Sequence, residues 1–159
     1  MKIAMISFTG NGRRLERSLA HELEKEGHQV LQAVKCKELE SDKDAVKCSA
    51  REWTGEQFRT RDVLIFIGAV QIAVRLIASF IGSKTTDPAV LVLDEKGQYC
   101  IPILSGHIGG ANELAERIAE MAGALPVITT ATDIRGKWAI DVFALSLIHI
   151  SEPTRRRGI

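Results

Sequence analysis

Long apolar runs are missing from this chain of 159 residues, and so are the cysteine patterns that mark a disulfide scaffold. No stretch is long and apolar enough to span a bilayer as a helix. The three cysteines, Cys36, Cys48 and Cys100, are odd in number, widely spaced and form no C-x-x-C pair. Reduced thiols and a cytoplasmic setting are therefore expected. No group of histidines and cysteines has metal-site spacing, so no protein metal ligand is expected. Neither a G-x-S-x-G nucleophile elbow nor a P-loop is present. Charge of one sign is also lacking. Lys and Arg number 21 against 20 Asp and Glu, for a formal net charge of +1. Nothing in that balance calls for nucleic acid or a membrane as partner. The opening MKIAMISFTGNG turns at once into Gly and Arg, without the apolar core and cleavage site of a secretory signal.

What is present suits one α/β domain with enough apolar material for a core. KIAMISF (residues 2–8) reads as a strand that ends in a Thr-Gly-Asn-Gly turn. Leu15, Leu19 and Leu23 then recur four apart among Arg14, Glu16, Glu22 and Lys25, the pattern of an amphipathic helix stopped by Gly27. QVLQAV (29–34) is a second strand. Residues 35–60 are polar and hard to assign, with one or two helical turns expected. DVLIFI (62–67) is a buried strand. A helix is predicted over 69–81, with Ile72, Leu76 and Phe80 facing the core. AVLVL (89–93) and QYCIPIL (98–104) are joined by so short a turn that an antiparallel hairpin is expected near residues 89–104. Pro102, without an N–H, fits best at an edge or near a strand end. A helix through Met121, with Leu114, Ile118 and Met121 on one face, is capped by Gly123. LPVIT (125–129) is the last strand. The expected architecture is an α/β domain with a mostly parallel sheet flanked by helices.

Five places carry candidate chemistry. Gly10 and Gly12 follow a strand and precede a helix, as in a dinucleotide fingerprint. The third glycine is replaced by Leu15, however, and no acidic residue ends the second strand at Val34-Lys35-Cys36. A plain tight turn is favoured there, with a helix N-terminus open to an anion as the weaker functional variant. LSGHIGGANE (104–113) sets Gly106, Gly109 and Gly110 around His107, ahead of a helix opened by Ala111 and Asn112. It is either a ligand-facing turn with exposed amides and a titratable imidazole, or a structural turn whose histidine caps a carbonyl. Arg75, among apolar neighbours, either snorkels or holds an anion. Lys84 and Asp87 precede a strand, and Thr130, Thr132 and Asp133 follow one, where Thr132 or Asp133 could also cap a helix.

The last fifteen residues, LSLIHISEPTRRRGI, break the texture of the chain. Residues 145–155 resemble the in-frame translation of a transposon adaptor from sequencing libraries. Residues 145–159 are thus expected to be a non-native tail. They carry Arg155, Arg156 and Arg157 against Glu152, so the slight positive balance of the chain belongs to them. The expected organisation is an α/β domain over 1–133, the start of a following region over 134–144, and this tail.

From Asp62 to Asp133 the chain resembles the N-terminal domain of the CbiG family, cobalt-precorrin-5A hydrolases of anaerobic cobalamin biosynthesis. DPAV, LSGHxGGAN and ITTATD, in that order, carry the resemblance, which is fainter over residues 1–61. Gln71 stands where the family pattern leads one to expect a glycine. The resemblance implies opening of a δ-lactone on a cobalt-tetrapyrrole with release of acetaldehyde. The cobalt belongs to the substrate, so no cofactor is implied. It also implies middle and C-terminal domains as partners within a full-length chain, and a homodimer is one assembly open to it. Such chemistry asks for water delivered to a carbonyl, an oxyanion stabiliser and a proton carrier. On chemical grounds His107 is the candidate acid/base, with Asp87 or Asp94 orienting a partner. Ser105, Gly106, Gly109, Gly110, Ala111 and Asn112 form the candidate substrate-binding turn. Arg75 and Lys84, joined by Thr130 and Thr132, are candidates for the substrate's carboxylates. The rival reading is a tetrapyrrole-binding or accessory domain without chemistry of its own. A free-standing nucleotide-binding domain is a third, disfavoured reading.

Overall fold

Each apolar run found above becomes a strand of one sheet, and the segments between them cover its two faces. The computed structural model describes residues 1–83, 85–105 and 110–129. In chain order the elements are β1 (Lys2–Ser7), α1 (Gly10–Lys25), β2 (Gln29–Val34), a 3-10 turn (Lys37–Leu39), α2 (Ala50–Thr60) and β3 (Val63–Ile67). They continue with α3 (Val70–Ile77), β4 (Ala89–Leu93), β5 (Tyr99–Leu104), α4 (Ala111–Ala122) and β6 (Leu125–Pro126). Residues Met1–Val127 form one compact unit.

The sheet order is β2-β1-β3-β4-β5-β6. The first four strands are parallel, β5 returns antiparallel to β4, and β6 lies parallel to β5. The mostly parallel α/β sheet with its hairpin is thus observed as expected. Every residue of β3 and β4 is buried, which is why these strands read as unbroken apolar runs. Alternate residues feed two cores. Ile3, Met5, Ile65 and Leu91 meet Leu19 and Leu23 of α1 and Ala115 and Ile118 of α4. Ala4, Ile6, Phe66 and Val92 meet Trp53 and Phe58 of α2 and Ala73 and Ile77 of α3.

Several expectations are corrected. Residues 35–60 hold a full helix, α2, whose start is fixed by a capping box. Ser49 accepts from the Glu52 amide, and the Glu52 carboxylate accepts from the Ser49 amide. Helix α3 ends at Ile77, short of Ile81, and its buried phase is Ala73 and Ile77. Ile72 is 36% exposed instead of facing the core. Leu76 and Phe80 do pack, partly buried, against the second core. Gln71 is an exposed residue in the first turn of this helix, a conformation that makes no demand for glycine. The last strand is two residues long, where five were expected. Glu16, expected on the wet face of α1, is fully buried.

Pro102 sits beside an irregularity in the β4–β5 ladder, where the register shifts between Val90 and Leu91. A residue without an N–H is at home there. β6 pairs only with Tyr99 and Cys100, so it stops short of Pro102.

Candidate functional site

Antiparallel return of β5 decides which candidates can meet. Leu104 lies opposite Val90, at the start of β4, so the chain leaves β5 beside the loop that enters β4. There the Ser105 hydroxyl donates to the Asp87 carbonyl at 3.1 Å. The Asp87 carboxylate accepts from the amides of Gly82 and Ser83 at 2.9 and 3.1 Å, which folds the 82–87 loop onto itself.

Ser105 holds a left-handed backbone, φ 58°, unusual for a residue with a side chain. Such conformations collect at ligand sites because the surroundings must over-determine them. Its carbonyl accepts from the Ala111 amide at 3.3 Å, closing the chain across the intervening residues. Gly110 caps α4 at φ 71°, which explains a glycine at that position. Ala111 and Asn112 are buried in the first turn of α4, against the sheet. Asp87, Ser105, Gly110, Ala111 and Asn112 are therefore parts of one strand-to-helix corner. Gly106, His107, Gly109, Lys84, Thr130 and Thr132 lie outside the described residues.

Asp94 does not belong to this corner. It follows β4, at the opposite end of that strand from Asp87. Its two carboxylate oxygens accept from the amides of Lys96, Gln98 and Tyr99, at 3.1, 2.7 and 2.7 Å. The carboxylate is thus engaged in folding the hairpin. Arg75 lies on the last turn of α3 and is exposed, with no hydrogen bond or ion pair among the described residues. It neither snorkels along a core nor pairs with a carboxylate there.

The Gly10–Gly12 turn has a structural explanation. Thr9 caps α1 by accepting from the Gly12 amide at 3.0 Å. A Cβ on Gly12 would lie 3.1 Å from Ile67 Cγ2. Its glycine thus allows α1 to pack closely on β3.

Sequence reasoning missed a buried charge cluster beside that turn. Arg13 is 2% exposed and Glu16 is fully buried. Arg13 lies 3.1 Å from Glu16 and grips Asp42 through Nε and Nη2 at 3.2 and 3.0 Å, with Asp44 as a further partner. Glu16 accepts from the Ser7 hydroxyl at 2.5 Å and the Ala33 amide at 2.9 Å, tying α1 to β1 and β2. Burial pushes the Glu16 carboxyl above its ordinary value, against the opposing pull of Ser7, Ala33 and Arg13. Burial also works against the Arg13 charge, yet Asp42 and Glu16 outweigh it and hold the guanidinium protonated. The Arg13 hydrogen bond keeps Asp42 below the usual carboxylate range. The available signal was Arg-x-x-Glu on the helix followed by the acidic SDKD stretch (41–44). Elsewhere, burial raises the Cys100 thiol to about 12, which leaves it inert as a nucleophile. Among the described residues no cluster could hold a metal ion, and no helix is long and apolar enough to cross a membrane.

The mostly parallel sheet, with helices on both faces and a strand-to-helix corner entering α4, defines an α/β domain. Comparison with known proteins carries this further. The family described as cobalamin synthesis G N-terminal matches residues 52–133, just over half the chain, and the chain belongs to that family. A cobalt-precorrin-5A hydrolase from Salmonella typhimurium is 53% identical over 92 residues, covering 58% of this chain and 26% of the relative. One from Priestia megaterium is 48% identical over 88 residues, covering 55% and 23%. The chain thus spans about a quarter of the length of these curated relatives. The crystal structure of a cobalamin biosynthesis protein G homologue from Sulfolobus solfataricus superposes with a TM-score of 0.65 at 26% identity. It covers 80% of this chain and 36% of that one.

Proposed function

We propose that this chain is the N-terminal part of a cobalt-precorrin-5A hydrolase, acting in cobalamin biosynthesis. The observation that carries the reading is the 53% identity to a hydrolase of that name over 92 residues, beside the family match over residues 52–133. The reaction is hydrolytic opening of the δ-lactone on the cobalt-tetrapyrrole; the alcohol so freed then breaks its carbon–carbon bond to the macrocycle and leaves as acetaldehyde, the ring carbon taking a proton in its place. The metal arrives with the substrate.

The corner from Ser105 to Asn112 is where the lactone binds. Amides at the start of α4, from Gly109 to Asn112, serve as donors to the oxyanion that forms when water adds to the carbonyl. His107 takes the proton from that water and returns it to the leaving oxygen. Ser105 and Asp87 are positioning residues, because their mutual hydrogen bond sets where the corner leaves the sheet. Arg75 and Lys84 offer charge to the peripheral carboxylates, with Thr130 and Thr132 as further polar contacts. The domain boundary at residue 133, and the following regions that complete the enzyme, belong to the same proposal.

The test uses a chain of the relatives' full length, supplied with cobalt-precorrin-5A, with acetaldehyde and ring-opened product followed together. His107→Ala is expected to lower turnover about 100-fold or more, as loss of an acid/base group does. Unchanged turnover removes His107 from the mechanism. Binding of the tetrapyrrole without any lactone opening by the wild-type enzyme would instead favour a binding domain.

A further inference from the structure

We propose that the loop at the carboxyl end of β2 is a binding site for a small anion with an apolar body, a carboxylic acid or a phosphate ester. It is separate from the Ser105–Asn112 corner. The chain leaves β2 at Val34 and returns to the same residue. The Val34 amide donates to the Asp44 carbonyl, and the Val46 amide donates to the Val34 carbonyl, both at 3.0 Å. Compact loops closed in this way are often functional.

The loop borders an open cleft of about 250 Å³. Val34, Ala45 and Val46 give it an apolar wall, and Lys35, Lys37 and Lys47 line it against a single carboxylate, Glu40. Lys35 is a strut, since its ammonium donates to the carbonyls of Val46 and Cys48 at 3.0 and 2.8 Å. Lys37 and Lys47 are exposed and enter no salt bridge among the described residues, so their charges are available.

From behind, the loop is fixed by the fork of Arg13 on Asp42 and Asp44. A burial this costly does more than close a surface loop. It holds the cavity in shape before any ligand arrives, which lowers the ordering cost of binding. The position also fits, because open α/β sheets take ligands outside the carboxyl ends of their parallel strands. Drug-sized ligands occupy about 300–1,000 Å³, so this cavity takes something smaller. Its place at the β2 edge, far along the sheet from β5, separates this site from the one proposed for the lactone.

The experiment is a titration of the whole chain, at constant ionic strength, with succinate and with inorganic phosphate in separate arms, read by backbone amide NMR. Saturable shifts at Lys37, Ala45 and Val46 are expected, with Kd on the order of millimolar. The double variant K37Q/K47Q, whose β1 and β3 amides should stay in place, is expected to bind about tenfold more weakly, roughly 1.4 kcal/mol. The arm with the lower Kd tells carboxylate from phosphate. No saturable shift in either arm overturns the proposal, as does equal affinity in the double variant.

Discussion

Replacing Arg13 by methionine tests whether the buried charge cluster holds the domain together or merely decorates it. Methionine keeps much of the apolar stem and removes every donor. Glu16 would remain fully buried, left with Ser7 and Ala33 as its partners. Asp42, whose side chain is 4% exposed, would keep Arg17 and the Asp44 amide. Removing one partner of a buried ion pair costs about 3–5 kcal/mol, since the other charge stays dehydrated. A domain of this kind has about 5–15 kcal/mol in total. With a urea slope of about 2 kcal/mol/M, the midpoint should fall by roughly 1.5–2.5 M. Adding Glu16→Gln should return part of that loss, because the stranded charge is gone. The pH dependence has a definite sign. The folded Glu16 carboxyl lies above its ordinary value of 4.5, so the native state binds the extra proton. Stability therefore falls as pH rises from about 4.5 through the folded value, and losing Arg13 widens that window. The variant should suffer less at pH 5 than at pH 8. A loss below about 1 kcal/mol, the worth of an exposed pair, would refute the reasoning.

Two further outcomes follow from hydrogen bonds already described. Ser49→Ala removes the capping box of α2 and should cost about 1 kcal/mol, read as a lower urea midpoint with an unchanged slope. Asp94→Ala should cost about 1–3 kcal/mol through its three lost backbone contacts, while turnover per folded molecule of a full-length enzyme stays at the wild-type level. A collapse of kcat with stability intact would return Asp94 to the chemistry.

The strands and their sequence along the chain were largely legible, because fully buried runs such as VLIFI and AVLVL can be little else. Helix α3 was legible in type, and of its expected core residues Ile72 alone was misplaced, since Leu76 and Phe80 pack against the core. In so short and apolar a segment, Ile72 and Ala73 compete for the core, and the small residue wins where the helix presses on the sheet. Helix α2 was missed although Ser-x-x-Glu announces its start. Its apolar residues, Trp53 and Phe58, are too few for periodicity alone to find it. The burial of Arg13 and Glu16 was missed for a different reason, although Arg-x-x-Glu followed by SDKD stood in the sequence. A charged residue among leucines looks like a wet face unless its partners are known, and Asp42 and Asp44 lie well away in sequence. The candidate corner was legible as a strand-to-helix turn. That Asp87 belongs to it and Asp94 does not follows only from the antiparallel return of β5.

That return leaves one strand with a protective defect. Backbone groups along a strand point alternately to either side, and the Cys100 carbonyl faces β6, where it accepts from Val127. Pro102, two residues on, presents its missing donor to that same outer side. Beyond the two residues that β6 covers, a second chain trying to zip onto this edge would find a gap in the ladder. Prolines so placed keep a sheet from serving as a template for fibrillar growth. The residue that looks like a flaw in an apolar strand thus interrupts the row of backbone donors on that side.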